Sequence, residues 1–308
     1  MTKPKIILDC DPGHDDAVAI LMAGRHCEVL GITTVGGNVP LELTTRNALL
    51  CLQILDLDIP VHEGIAVPLN TPPVHAPDIH GESGLGGPVL PKLERQLAST
   101  EAVRFIIDSA RTHDDLWLIA TGPLTNVAVA LSQAPDIAKK LKGISIMGGG
   151  SFGNRTPAAE FNIFYDPEAA DIVFRSGVSL TMCGLDLTHQ FTIEPENIET
   201  MKAMKSRAAT FVSDMLEFFG GHYKERYFNR FFAPLHDPCA VMALTHPDLF
   251  EFQDRQVVVE LHGSHTRGMT LIDERGVKLA KASNTRVAKK IDRESALELL
   301  LDTMRSYG

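Results

Sequence analysis

The sequence predicts an α/β fold in one domain covering residues 1–308, with a mostly parallel central sheet, crossover helices and a helical insertion in the C-terminal half. Three observations carry this expectation. Short apolar runs alternate with amphipathic stretches through the first half, the pattern of parallel strands joined by crossover helices. The 308 residues suit one large domain or two small ones, and no linker rich in proline, glycine or serine divides them. Hydrophobic residues make up 44% and charged residues 22%. That is enough apolar surface to offset ordering entropy, and it excludes collagen-like, low-complexity and largely disordered chains.

Taken in order, residues 5–8 form an apolar run ending in aspartate, and 15–23 have helical periodicity. Residues 29–35 read as a second strand closed by Gly36 and Gly37. Residues 43–55 read as an amphipathic helix, because leucine and isoleucine recur at steps of three and four. Residues 102–110 are helical, 116–120 a strand, 124–131 helical, and Gly143–Met147 a strand running into three glycines. Pro167–Phe174 adds a helix, 178–183 a strand, and 193–223 a mainly helical stretch. Residues 256–261, 269–272 and 285–290 read as later strands, and 293–304 as a closing helix. Residues 72–88 carry prolines, histidines and glycines without periodicity; a loop this long inside a compact domain is usually functional or mobile.

Twenty-nine basic against thirty-nine acidic residues leave a net charge of −10, so the chain lacks the field that draws phosphate backbones. Nucleic acid is not an expected partner. The opening MTKPKIILDCDPGHDD has three apolar residues before its aspartates, so neither a signal peptide nor a membrane anchor is expected there. No stretch approaches the ~20 apolar residues that span a bilayer. The five cysteines (10, 27, 51, 183 and 239) are odd in number, widely spaced and without a CxxC pair. A disulfide framework or zinc site is therefore not expected, and a reducing, cytoplasmic location is.

Ligands of open α/β sheets bind beyond the carboxyl ends of the strands, so the residues after each predicted strand outline the site. Asp9, Asp11, Asp15 and Asp16 follow the first strand, with Pro12 and Gly13 shaping the turn. Helix capping accounts for one or two of these acids, but not for Asp9 and Asp11 on the strand side. Like charges so close raise one another's pKa or share a cation. Every ligand on offer is an oxygen, which indicates a hard ion. Calcium suits such a shell if substrate hydroxyls complete it, and magnesium is the second choice. The segment is not an EF-hand, because its glycine stands fifth in the loop and no glutamate stands twelfth.

Other strand ends add polar groups. Gly36, Gly37 and Asn38 follow the second strand, and TGPLTN (121–126) follows the strand containing Trp117. Gly148, Gly150 and Gly153 spell G-x-G-x-x-G, but Arg155, Thr156 and Pro157 follow where a dinucleotide site opens a helix. The motif is therefore read as a loop that lets backbone approach a ligand. Glu160 and Asn162 offer a carboxylate and an amide suited to sugar hydroxyls. Asp237 with Pro238 can simply begin a helix. His236 beside it is a candidate acid, with His80 weaker and His14 weaker still. Phe218, Phe219, Tyr223 and Tyr227 are either core packing at helical spacing or a lid that stacks on a flat ligand.

In order and spacing, DCDPGHDDAVAI, HGESGLGGP, TGPLTN, MGGG, AEFNIFYDPEAA and HDPCAV resemble the inosine-uridine-preferring nucleoside hydrolase family over nearly the whole chain. The resemblance implies hydrolysis of the N-glycosidic bond of ribonucleosides to free base and ribose. It also implies a Rossmann-like α/β scaffold, one calcium ion per subunit, a homodimer or homotetramer, and a place in cytoplasmic nucleoside salvage. By the same resemblance Asp11 is the general base and a calcium ligand, Asp16 and Asp237 are the other carboxylate ligands, and Thr121 gives a backbone carbonyl. Asp15, Asn38, Asn154, Glu160 and Asn162 match positions that hold ribose, while Met147 and Phe161 match pocket-lining positions. His80 and His236 match histidines near the base, His236 being the leaving-group acid. Tyr223 matches a stacking tyrosine, and Phe219 stands where the family has an earlier one.

A pocket holding Asp9, Asp11, Asp15, Asp16, Glu160 and Asp237 repels a phosphate monoester, and no Walker A lysine offsets them, so nucleotides are expected to be poor substrates. Two other classes share parts of the pattern. Magnesium phosphohydrolases of the haloacid dehalogenase type also place Asp-x-Asp after a first strand, as in Asp9-Cys10-Asp11. Gly13 stands where their motif has threonine or valine. A non-catalytic calcium-dependent sugar-binding protein would need neither Asp11 as base nor His236.

Overall fold

The computed structural model describes residues 3–224, 231, 233–275 and 282–307. In chain order, β1 (Lys5–Cys10) is followed by α1 (His14–His26), β2 (Glu28–Thr34), α2 (Leu41–Leu55), β3 (Val61–Glu63) and α3 (Pro77–His80). Next come α4 (Ala102–Thr112), β4 (Trp117–Ala120), α5 (Thr125–Gln133), β5 (Gly143–Met147), α6 (Phe161–Tyr165) and α7 (Pro167–Phe174). Then follow β6 (Leu180–Cys183), α8 (Leu185–Thr188), β7 (Thr192–Ile193), α9 (Pro195–Ala203), α10 (Arg207–Tyr223), β8 (Ala233–Pro234) and α11 (Asp237–Thr245). The last elements are β9 (Phe250–Arg255), β10 (Val257–Val259), β11 (Thr270–Ile272), β12 (Thr285–Ile291) and α12 (Arg293–Arg305).

Eight strands form the central sheet in the order β3-β2-β1-β4-β5-β6-β12-β9. Neighbours are parallel throughout except β12 with β9. Helices cover both faces, so alternate residues of one strand enter two different cores. Ile6, Leu8 and Cys10 pack with α1 and α2, whereas Ile7 packs with Ile106, Val127 and Val173. Each fully buried leucine or isoleucine contributes ~1.5–3 kcal/mol, which anchors the strand ends that carry the polar residues.

The strand order reverses at β1, whose neighbours are β2 on one side and β4 on the other. A crevice opens at such a switch point beyond the carboxyl ends of the strands. The loops after β1, β2, β4 and β5 meet there. α1 places Asp15 and Asp16 in its first turn and Arg25 and His26 in its last, the charge order that its dipole favours. It also packs against α11, which begins at Asp237 with Pro238 in its first turn.

The helical stretch expected over 193–223 is two helices, α9 and α10, separated at Lys205, which takes a left-handed φ of 57°. Two of the expected late strands leave the main sheet. β10 and β11 pair only with each other, as an antiparallel hairpin, and of the three only β12 joins the eight. β3 and the antiparallel edge strand β9 were not anticipated. Residues 72–88 contain the single turn α3 and form one wall of the crevice. Among the described residues, no helix is long and apolar enough to cross a membrane.

Candidate active site

The turn from β1 to α1 fixes the first two acids. Asp16 Oδ2 accepts the Gly13 N–H at 3.0 Å, and its Oδ1 accepts the Thr121 hydroxyl at 2.8 Å. Asp16 thus caps α1 and fastens it to the end of β4. A Cβ on Gly13 would stand 2.5 Å from His80 Nδ1, so only glycine lets that imidazole pack on the turn. Asp11 Oδ2 accepts the Asn38 N–H at 2.7 Å, while Asp11 Oδ1 is buried and has no partner.

The second helix start completes the cluster. One carboxylate oxygen from each of Asp15, Asp16 and Asp237 lies within 4.8 Å of the others. Asp11 stands beside them, close enough that Asp16 raises its pKa and that it in turn raises that of Asp237. Burial is the larger cause and pushes all four carboxyls up. Four buried acids repel one another unless protons or a cation intervene. The unpartnered oxygen of Asp11 and the all-oxygen donor set fit a hard divalent cation. The Thr121 carbonyl already accepts the Asn162 amide at 2.7 Å and keeps its second lone pair.

Asp9 is the exception. Its Oδ1 accepts Thr33 Oγ1 at 2.5 Å and Asn126 Nδ2 at 2.8 Å, tying β1 to β2 and α5. Burial lifts its pKa to about 7. It is not one of the converging acids, so its expected place around a cation is replaced by a structural one.

A cavity opens on this cluster. Asp15, Asn38, His80, Thr121, Met147, Asn154, Glu160, Phe161, Asn162, His236 and Asp237 line it. Asp11 and Asp16 lie behind this wall. Asn162 donates to the carbonyls of Thr121 and Met147, at 2.7 and 3.1 Å, and so ties the ends of β4 and β5 together. Glu160 caps α6 and also accepts the Gly149 N–H at 2.9 Å, in a loop where Gly149 takes φ 73°. Burial raises Glu160 to about 7, against the pull of these N–H bonds. A folded-state pKa above the unfolded one makes ionising Glu160 cost stability as pH rises from the ordinary carboxyl range to about 7. Its charged form prevails above that. Asn154 Oδ1 accepts the Phe161 N–H at 2.9 Å.

The histidines divide their roles. His14 does not line the cavity; it supports His80, with 3.1 Å between their Nδ1 atoms. His14 Nε2 donates to the Gly86 carbonyl at 2.9 Å, and burial lowers its pKa to about 4. His236 bonds through Nδ1 to Thr188 Oγ1 at 2.7 Å, and its buried Nε2 has no partner among the described residues. Burial, reinforced by His189, pushes the His236 pKa well below the usual range. This favours the neutral ring.

The aromatic group also divides. Phe219 lines the cavity, with its ring centre 5.6 Å from that of His80, whereas Phe218 stacks on His14 and His222. The Tyr223 side chain and all of Tyr227 lie outside the described residues. Ala76, Ile79 and Arg155 also line the cavity and were not foreseen. Ala76 and Ile79 stand just before His80, a signal available in residues 72–88; nothing in sequence marked Arg155.

The sequence profile of the inosine-uridine preferring nucleoside hydrolases matches residues 6–298. The chain belongs to this family. It is 44% identical over 312 residues to the pyrimidine-specific ribonucleoside hydrolase RihA of Shewanella sp. (strain ANA-3), an alignment covering 100% of this chain and 98% of the relative. It is also 44% identical, over 313 residues, to the pyrimidine-specific ribonucleoside hydrolase RihB of Escherichia coli O17:K52:H18 (strain UMN026 / ExPEC), covering 100% and 99%. Among solved structures it resembles the purine-preferring ribonucleoside hydrolase from Gardnerella vaginalis, with a TM-score of 0.92, 34% identity and 98% of each chain covered.

In this member of the nucleoside hydrolase family, glycines set the position of Asp11. A Cβ on Gly37 would stand 2.0 Å from Asp11 Oδ2, and one on Gly122 would stand 2.5 Å from Oδ1. Gly37→Ala is expected to displace that carboxylate and lower kcat about 10²-fold, since misplacing a reacting group by ~1 Å costs that much. Steady-state rates on uridine check this, with melting temperature measured alongside to exclude unfolding.

Proposed function

We propose that the protein hydrolyses pyrimidine ribonucleosides to free base and ribose, using calcium held by Asp11, Asp16, Asp237 and the carbonyl of Thr121. The convergence of the buried Asp15, Asp16 and Asp237 carboxylates, with Asp11 beside them, next to a cavity lined by His236, whose Nε2 has no partner among the described residues, supports this reading above all. The two relatives at 44% identity, both named pyrimidine-specific, support the choice of base. The five buried, unpaired cysteines support a reducing location such as the cytoplasm.

Cleaving a ribosyl–nitrogen bond builds positive charge on the sugar ring. When bound, calcium would orient the sugar diol and lower the pKa of a water molecule. Asp11 takes the proton from that water through its free Oδ1. Asp15, Asn38, Asn154, Glu160 and Asn162 hold the ribose, and their carboxylates stabilise the growing charge where it develops. Phe219 and Phe161 give the base an apolar wall, and His236 donates Nε2–H to it as it leaves.

Rates on uridine, cytidine, inosine and adenosine, with and without a chelator, test the whole reading. Pyrimidine nucleosides are expected to be cleaved fastest and only with the cation; faster purine cleavage would overturn the base assignment. His236→Ala is expected to lower turnover of uridine about 10²-fold, yet to change that of 4-nitrophenyl β-D-ribofuranoside far less, because nitrophenolate departs unaided. Equal losses on the two substrates would remove His236 from this role.

A further inference from the structure

We propose that Thr188 is a positioning residue for base departure: its hydroxyl donates to Nδ1 of His236 and so keeps the proton on Nε2, facing the substrate. This rests on the role of His236 given above and extends it to a side chain that does not line the cavity.

Counting hydrogens decides the direction of the bond. Thr188 is fully buried, and the 2.7 Å contact with His236 Nδ1 is the bond its hydroxyl makes among the described residues. If Nδ1–H donated to Thr188, the hydroxyl hydrogen and a bare Nε2 lone pair would both be buried without partners. If Thr188 donates, one group alone is left over, the Nε2–H, and it belongs to a residue that lines the cavity. Orphaned buried polar groups are costly, so the arrangement that leaves fewer of them prevails. The backbone also holds the pair in register. Thr188 ends α8, which is anchored by fully buried Leu185 and Leu187. β7 pairs with β8, and the Leu235 N–H donates to the Phe191 carbonyl at 2.9 Å. In the reaction the C1′–N electron pair leaves with the base, Nε2–H bonds to that anion without being transferred, and the base takes its proton from solvent on release while Asp11 gives its proton back to solvent.

Thr188→Val keeps the branched shape and removes the hydroxyl. It is expected to lower kcat on uridine about tenfold with KM within about twofold, and to leave 4-nitrophenyl β-D-ribofuranoside turnover within about twofold. Thr188→Ser is expected to restore the rate, and Thr188→Val added to His236→Ala to cost nothing more. In protein labelled with ¹⁵N-histidine, the His236 ring is expected as the Nε2–H tautomer. An Nδ1–H tautomer in the unaltered protein overturns the inference whether or not the valine variant folds. So does a uridine rate untouched by Thr188→Val, an equal loss on both substrates, or no rescue by serine. If His236→Ala itself falls equally on both substrates, the underlying role of His236 fails instead.

Discussion

Asp11→Asn is expected to lower kcat on uridine by about 10⁴-fold, the largest effect of any single substitution in the cavity. Asparagine has nearly the same shape, and its carbonyl can still accept the Asn38 N–H that Asp11 Oδ2 accepts at 2.7 Å. The turn and the strand end should therefore survive. What disappears is the proton acceptor, worth ~10²–10⁴-fold in general-base catalysis, together with one negative charge near the developing cation on the sugar. The rate is best measured at saturating calcium, so that weaker ion binding is compensated. A fall of less than about tenfold under those conditions would show that Asp11 is not the base.

Removing the ion is expected to abolish turnover and to lower the melting temperature by several degrees, with calcium restoring both. Carboxylate oxygens held within 4.8 Å repel by ~3 kcal/mol per charged pair at an effective dielectric of 20. A cation converts that repulsion to attraction, and ligand at a hundredfold excess over its Kd stabilises the native state by ~2.7 kcal/mol. Thermal melts with chelator and with added calcium check this. Asp237→Asn should make the melting temperature insensitive to calcium. A full rate in excess chelator would overturn the role assigned to these acids.

Much of the cavity was legible because strand-end residues do not depend on pairing details. Asn38 and Thr121 follow predicted strands, Met147 ends one, and all three line the cavity. Element boundaries were less legible. β1 runs on through Asp9 to Cys10, since an aspartate whose Oδ1 accepts from Thr33 and Asn126 can stay in a buried strand. β9 escaped notice because the run FEFQDR alternates for only three residues before turning polar, and its place at the sheet edge depends on pairing with β12. Asp15 and Asp16 look alike in sequence. Only the docking of α11 brings both to Asp237. Thr188 and Arg155 carried no local signal, since each matters only through residues that tertiary structure brings near.

The acids that converge come from the first helix and the eleventh, which pack together although they stand near opposite ends of the chain. During synthesis on a ribosome, the opening β–α unit must wait, with its charges unbalanced, until nearly the whole polypeptide has emerged. Dissolved calcium then finds no complete nest to occupy in a nascent fragment. On the proposed reading, the ion would act as a latch on the finished molecule, slowing its unravelling rather than hastening its assembly.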